Sequence, residues 1–217
     1  MGINIQYKEQ DAPRGLPDAF ILGEQFINNQ NVAMILGDNF FYGQSLSTML
    51  NNCIKLDKGA KIILHKVLDP QKFGVAKIMK KKILSIKEKP KKFFSNLAIT
   101  GLYFFDKNVV KYSKELKPSK RNELEIVDLI NLYKNKKKLK ITKLGRGSAW
   151  MDVGNFSDLQ SASNFIQNIE NRQNYKIGCI EEIAFNNKWV NKKNIIKRIK
   201  HFANTDYSSY LKNLISN

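Results

Sequence analysis

The chain has 217 residues, 42% hydrophobic and 26% charged, with a formal net charge of +18. That length buries a sizeable core in one domain, and no apolar run approaches the ~18 residues of a membrane span. The opening Met1-Gly2-Ile3-Asn4-Ile5 has no basic stretch leading into an apolar one, and Gln6 breaks a myristoylation pattern, so neither a signal peptide nor an anchor is expected. Cys53 and Cys179 match no metal or redox spacing and read as two buried thiols of a cytoplasmic protein. The lysines are spread along the whole chain beside frequent asparagines, without an aromatic-rich RNA signature, a Cys/His finger or a helix-turn-helix pattern. A solvated lysine surface is the reading, and a general attraction for polyanions, nucleotides included, is its alternative; no dedicated nucleic-acid or membrane partner is expected.

In chain order, Ile3 to Tyr7 alternates apolar and polar residues and predicts a short strand. Leu16, Ala19, Phe20, Gly23, Phe26 and Ile27 recur at helical spacing. Val32 to Leu36 is a continuous apolar run, predicting a strand buried on both faces. A helix over roughly 46–56 and a strand at Ile62-Ile63-Leu64 complete a strand, helix, strand order that signals an α/β sheet. Phe73 to Ile78 and Ile83 to Lys87 predict a hairpin around the basic turn Lys80-Lys81-Lys82. A strand at 97–105, helices from about Asn108 and over 124–133, and strands at 139–144 and 149–152 follow. A long helix begins at Phe156, capped by Asn155 with Asp158 in its first turn, and the remaining chain is helical. The whole reads as one domain, 1–217, with a helical region from about 155 to 217.

Several positions offer chemistry. Asp38, in Leu36-Gly37-Asp38-Asn39, stands just beyond the end of a buried strand, where open α/β sheets bind ligands, and presents hard oxygens suited to Mg²⁺. Asp152, in Trp150-Met151-Asp152-Val153-Gly154, repeats the arrangement, and two such acids from distant segments are able to clamp one metal ion. Either acid taken alone also suits an ordinary turn or helix cap. Glu88-Lys89-Pro90 pairs an acid and a base at a strand end, a place equally suited to solvated charges. Gly101, after Thr100, interrupts a strand and marks a bulge or a close approach. Arg121 to Glu125 reads as a charged helix start, and Gln10, Gly15 and Leu16 frame a loop where an amide side chain is placed to read a flat base.

Order and spacing join these pieces. Gln6-Tyr7-Lys8-Glu9-Gln10, Gly15-Leu16, Leu36-Gly37-Asp38-Asn39, Phe73-Gly74-Val75, Glu88-Lys89-Pro90, Thr100-Gly101-Leu102-Tyr103, Glu123-Leu124-Glu125-Ile126, Trp150 to Gly154 and Glu181-Glu182-Ile183-Ala184-Phe185 together resemble the bacterial glucose-1-phosphate thymidylyltransferase family, over nearly the whole chain. The resemblance implies a Rossmann-like, three-layer nucleotidyltransferase fold with a mixed, mostly parallel sheet and C-terminal helices. It implies transfer of dTMP from dTTP to glucose 1-phosphate with Mg²⁺, giving dTDP-glucose and pyrophosphate for dTDP-rhamnose-type sugars and surface polysaccharide. By resemblance, Asp38 and Asp152 hold the metal, and Gln10 and Gly15 recognise thymine. Glu88 takes glucose hydroxyls, Lys89 and Arg121 take the sugar phosphate, with Lys89 also catalytic, and Gly74 and Thr100 line the sugar pocket. A cytoplasmic homotetramer is the implied assembly.

Departures from the family pattern set further expectations. The family opens with a strand and a glycine-rich loop that cradles the triphosphate, and no such motif stands at the start of this sequence, so an N-terminally incomplete, inactive fragment or remnant is expected. The alternatives are a non-catalytic sugar-phosphate-binding or regulatory remnant, or a relative using another nucleotide or sugar. Phe73 stands where tyrosine is usual, Pro17-Asp18 where Ala-Gln is, Asn122 where glycine is, and Ile180 where proline is.

Overall fold

A computed structural model of the chain describes residues 3–80 and 82–216; Lys81 of the basic turn and the Met1-Gly2 opening lie outside them. The chain divides into two compact units, Gln6–Gly154 and a helical unit of Asn155 onward grouped with residues 3–5. Among the described residues no helix is long and apolar enough to cross a membrane.

The larger unit begins with α1 (Leu16–Leu22) and α2 (Glu24–Ile27), separated at Gly23, then β1 (Val32–Ile35) and β2 (Asn39–Tyr42). Next come α3 (Leu46–Ile54), β3 (Ala60–Lys66), the hairpin strands β4 (Val75–Met79) and β5 (Lys82–Lys87), and β6 (Leu97–Phe105). Helices α4 (Val109–Lys114) and α5 (Ile126–Asn135) precede β7 (Leu139–Lys143) and β8 (Ala149–Asp152). The main sheet runs β5-β4-β6-β3-β7, with β1 also paired to β6. It is mixed as expected, yet among the described residues only β3 and β7 run parallel; β1, β3 and β4 each meet β6 antiparallel.

The period-two alternation of the central strands explains the layering. Ile62, Leu64, Tyr103 and Phe105 turn to one face and pack with Phe20, Val109, Leu129 and Tyr133 of α1, α4 and α5. Ile63, Leu102 and Phe104 turn to the other and meet Cys53 and Leu56 at α3. Each such fully buried side chain contributes about 1.5–3 kcal/mol of transfer free energy. A polar network lies within this core: Asp106 accepts from the Gly59 N–H at 2.7 Å and from the Tyr133 hydroxyl at 2.9 Å.

Two sequence expectations need correction. β1 alternates between half-buried and exposed, with Ile35 58% exposed, instead of being buried on both faces. Its apolar run satisfies a strand, but packing covers only the side that carries Val32 and Met34. Residues 3–7 form no ladder and are exposed, because no neighbouring strand among the described residues supplies their backbone partners.

In the helical unit, α6 (Phe156–Gln173) starts as expected, with Asn155 Oδ1 accepting from the Asp158 N–H at 3.0 Å. Helices α7 (Ile180–Asn186), α8 (Lys192–His201) and α9 (Asp206–Ser216) pack around Cys179, Ile195 and Leu211. Both cysteines are free and buried.

Candidate active site

The site builds from a strand that sequence periodicity did not announce. β2 pairs antiparallel with β8 in a separate two-stranded sheet, setting Asn39 opposite Asp152 and Phe41 opposite Trp150. The Val153 N–H donates to the Asp38 carbonyl at 2.8 Å and closes the end of this ribbon. Asp38 and Asp152, 114 positions apart in sequence, therefore come to one place by backbone pairing alone.

Asn39 holds that place together. Its amide nitrogen donates to Asp38 Oδ1 at 2.8 Å and to Asp152 Oδ1 at 3.1 Å. Its carbonyl oxygen accepts from the Gly101 N–H at 2.9 Å and from Trp150 Nε1 at 2.6 Å. One neutral amide thus meets two carboxylates with its donors and fixes its own rotamer with its acceptor. Glycine at 101 leaves room for this amide: a Cβ there would lie 2.5 Å from Asn39 Oδ1. The close approach read from the Thr100-Gly101 interruption is that of Asn39, within a register shift of the β3–β6 ladder. A Cβ at Gly37 or Gly154 would meet nothing within 4 Å, so the backbone one residue before Asp38 and two after Asp152 is uncrowded.

Tyr103 of β6 connects this pair to Glu88. Burial first, and then the charges of Glu88, Asp152 and Asp38, push its hydroxyl pKa well above the usual tyrosine range. The Phe73 ring lies 5.0 Å from Trp150, which ties the segment before β4 to β8. Beside Phe73, a Cβ on Gly74 would sit 2.8 Å from Val127 Cγ2 and 3.1 Å from Glu88 Oε2, so the missing side chain makes room for both. Burial raises the Glu88 pKa above the ordinary glutamate value; the Lys89 charge opposes this and Glu125 reinforces it. Lys89 turns at φ +36° and its N–H donates to the Phe73 carbonyl at 3.1 Å. Among the described residues its ammonium forms no ion pair.

Arg121 is committed to a neighbour. It donates through Nε to Glu125 Oε1 at 3.2 Å and through NH2 to Glu125 Oε2 at 2.7 Å, with Glu123 at 3.6 Å. Burial would raise Glu125, but hydrogen bonds from Arg121 and Ser119 outweigh it and hold the carboxyl below its usual range. The Gln10 loop rests on the same region, since the Leu124 N–H donates to the Arg14 carbonyl at 2.8 Å. Gly15, at φ +93°, has no room for a Cβ against the Leu124 backbone. Gln10 Nε2 donates to Asp18 Oδ2 at 2.7 Å and to the Gly15 carbonyl at 3.2 Å.

The structure thus gathers Asp38 with Asp152, and Gly74 with Glu88 and Lys89, while Gln10 and Gly15 lie against the segment that carries Arg121. Thr100 is turned inward: it is fully buried and its hydroxyl donates to the Ile63 carbonyl at 3.2 Å. Asn39 and Tyr103 lie inside the motifs given above, but the sequence does not single them out. The signal for Asn39 was the glycine at 101, whose absent side chain is the space the amide fills.

The profile of the Nucleotidyl transferase family matches residues 1–169, more than half of the chain. This chain belongs to the nucleotidyl transferase family. Among its relatives, the glucose-1-phosphate thymidylyltransferase of Neisseria gonorrhoeae is 46% identical over 215 residues, which cover 99% of this chain and 75% of that protein. The enzyme of the same name from Mycobacterium tuberculosis (strain ATCC 25618 / H37Rv) is 37% identical over 216 residues, again 99% and 75%. Among solved structures, a Bacillus anthracis glucose-1-phosphate thymidylyltransferase holding a sucrose gives a TM-score of 0.68 at 39% identity, covering 76% of this chain and 65% of that one. A UDP-glucose pyrophosphorylase with bound UDP-glucose gives 0.64 at 25%, covering 74% and 65%. The chain therefore spans three quarters of the curated relatives' length and just under two thirds of these solved chains. The family membership fits the α/β fold with helices on both sheet faces.

Proposed function

We propose that this site serves transfer of dTMP from dTTP to glucose 1-phosphate, yielding dTDP-glucose and pyrophosphate. The observation that carries the reading is the Asn39 amide joining Asp38 to Asp152, with Glu88 close enough to act on the same Tyr103 hydroxyl. In this reaction a phosphate oxygen of the sugar attacks the α-phosphorus in line; a new O–P bond forms as the bond to pyrophosphate breaks. The protein's work is positioning and charge neutralisation.

Glu88 is placed to accept hydrogen bonds from vicinal sugar hydroxyls, and Lys89 to meet the phosphomonoester as a point charge. Arg121 would add to that charge on release from Glu125. Two carboxylates held on one amide suit Mg²⁺, which takes one or two protein carboxylates and completes its shell with water and phosphate oxygens. When bound between Asp38 and Asp152, the ion would offset negative charge building on the phosphates.

Because the amide nitrogen of Gln10 is spent on Asp18 and Gly15, Gln10 offers a base its carbonyl oxygen, an acceptor for the N3–H that thymine and uracil share. The relatives' names support thymine, and the enzyme reading over a non-catalytic remnant. A cytoplasmic homo-oligomer supplying dTDP-sugar and surface polysaccharide synthesis completes the proposal.

Titration with dTDP-glucose, UDP-glucose and GDP-mannose in the presence of Mg²⁺ tests it. Binding should follow that order, with GDP-mannose weakest. Equal affinity for all three would leave only a general attraction for polyanions.

A further inference from the structure

Away from this site, β7 ends the main sheet. The Lys138 carbonyl accepts from the Ala60 N–H and the Leu144 N–H donates to the Leu64 carbonyl, both at 2.9 Å. In a parallel ladder, alternate residues turn their N–H and C=O to the same partner strand. Lys140 and Thr142, in step with those two contacts, face β3, and the backbone groups of Leu139, Ile141 and Lys143 face outward. Among the described residues no strand takes them up.

That edge opens onto a groove of about 1190 Å³ between β7, the end of α5 and the facing parts of β4 and β5 at Ile78, Lys82 and Ile83. Its rim carries Lys82, Lys134, Lys137, Lys140 and Lys143, and no carboxylate or aromatic side chain lines it among the described residues. Its floor is apolar: Ile78, Ile83, Leu139 and Ile141, all half-buried against the core.

We propose that this groove docks an extended acidic segment of a partner protein, which adds as a strand to the outward edge of β7. A strand alternates its side chains, so one set meets the lysine rim while the other covers the apolar floor, and its backbone satisfies the outward groups. A phosphate polymer would match the lysines but leave the floor and the edge unused. Single-stranded nucleic acid is held by stacking bases on aromatic rings, which this groove lacks. A second copy of the chain, at net charge +18, is repelled by the same lysines that keep bare edges from pairing with each other.

The test uses a short fluorescein-labelled peptide that alternates glutamate with valine, followed by anisotropy. Wild type should bind it, more weakly as salt rises, and more tightly than a proline-interrupted peptide of equal charge. Lys143→Ala and Lys143→Pro both remove a charge, but only proline removes an outward N–H, so Lys143→Pro should bind about tenfold or more weaker than Lys143→Ala. A peptide N-methylated along its edge-facing positions should lose a similar factor against the wild type, a readout that asks nothing of a variant's folding. Equal binding of the methylated and unmethylated peptides, or displacement by polyphosphate as effective as by unlabelled peptide, overturns the proposal in favour of plain attraction for polyanions. Failure to bind at low salt overturns it outright.

Discussion

Asn39 and Asp152 face each other across the β2–β8 ladder, and the Asn39 amide nitrogen donates to Asp152 Oδ1 at 3.1 Å while also reaching Asp38. The contact sets two like charges side by side with a donor between them. Asn39→Ala would strip that donor and leave the Gly101 N–H and the Trp150 indole N–H without their acceptor. Loss of about 1–3 kcal/mol of folding stability is expected, the usual cost of orphaned, partly buried polar groups. Urea denaturation measures it, as a lower midpoint at an unchanged slope.

Gly101→Ala should destabilise for a related reason. The new methyl would occupy the space of the Asn39 side chain, at 2.5 Å from its oxygen. Overpacking of that kind costs about 1–3 kcal/mol. In the double variant with Asn39→Ala the clash disappears, so the two losses should add to clearly more than the double variant shows. Strict additivity would mean that the glycine answers to something other than Asn39.

Asp38→Asn and Asp152→Asn each should weaken Mn²⁺, used as a magnesium surrogate, by about tenfold or more, equivalent to ~1.4 kcal/mol. Electron paramagnetic resonance of free Mn²⁺ reads this directly. A variant that leaves the affinity unchanged removes that carboxylate from the metal site.

Glu88 gives the pH dependence. Its folded pKa is raised by burial, so the ionised form opposes folding above that pKa and the neutral form does not. Glu88→Gln should therefore raise the thermal midpoint at pH 7. The gain should fade as the pH falls through the glutamate range, where the wild-type carboxyl is neutral in both folded and unfolded states. A gain that persists in acid would assign the effect to packing.

Much of this was legible in the sequence because the signals were local. β6 occupies 97–105 as its apolar run predicts, and Asn155 caps α6 as its neighbours require. The substituted family positions also find local reasons. Asn122 sits at φ +61°, a conformation asparagine tolerates in place of glycine, and Ile180 opens α7 at the position where proline is favoured. What was not legible depends on distant partners. β2 is too short to show a period, and only its pairing with β8 makes it a strand. The inward turn of Thr100 follows from the Ile63 carbonyl, and the commitment of Arg121 to Glu125 follows from the fold of the turn before α5.

Lys89 bears most directly on the proposed function, since among the described residues its ammonium stands beside Glu88 without an ion pair of its own. Calorimetric titration of wild type and Lys89→Ala with glucose 1-phosphate, after circular dichroism has shown both to be folded, tests it. Wild type should bind glucose 1-phosphate and hold free glucose far more weakly. Lys89→Ala should lose about 1.5–3 kcal/mol, the usual worth of a charge-assisted hydrogen bond. Equal affinity of the two proteins for glucose 1-phosphate, or no binding by the wild type, would contradict a sugar-phosphate site at Glu88 and Lys89.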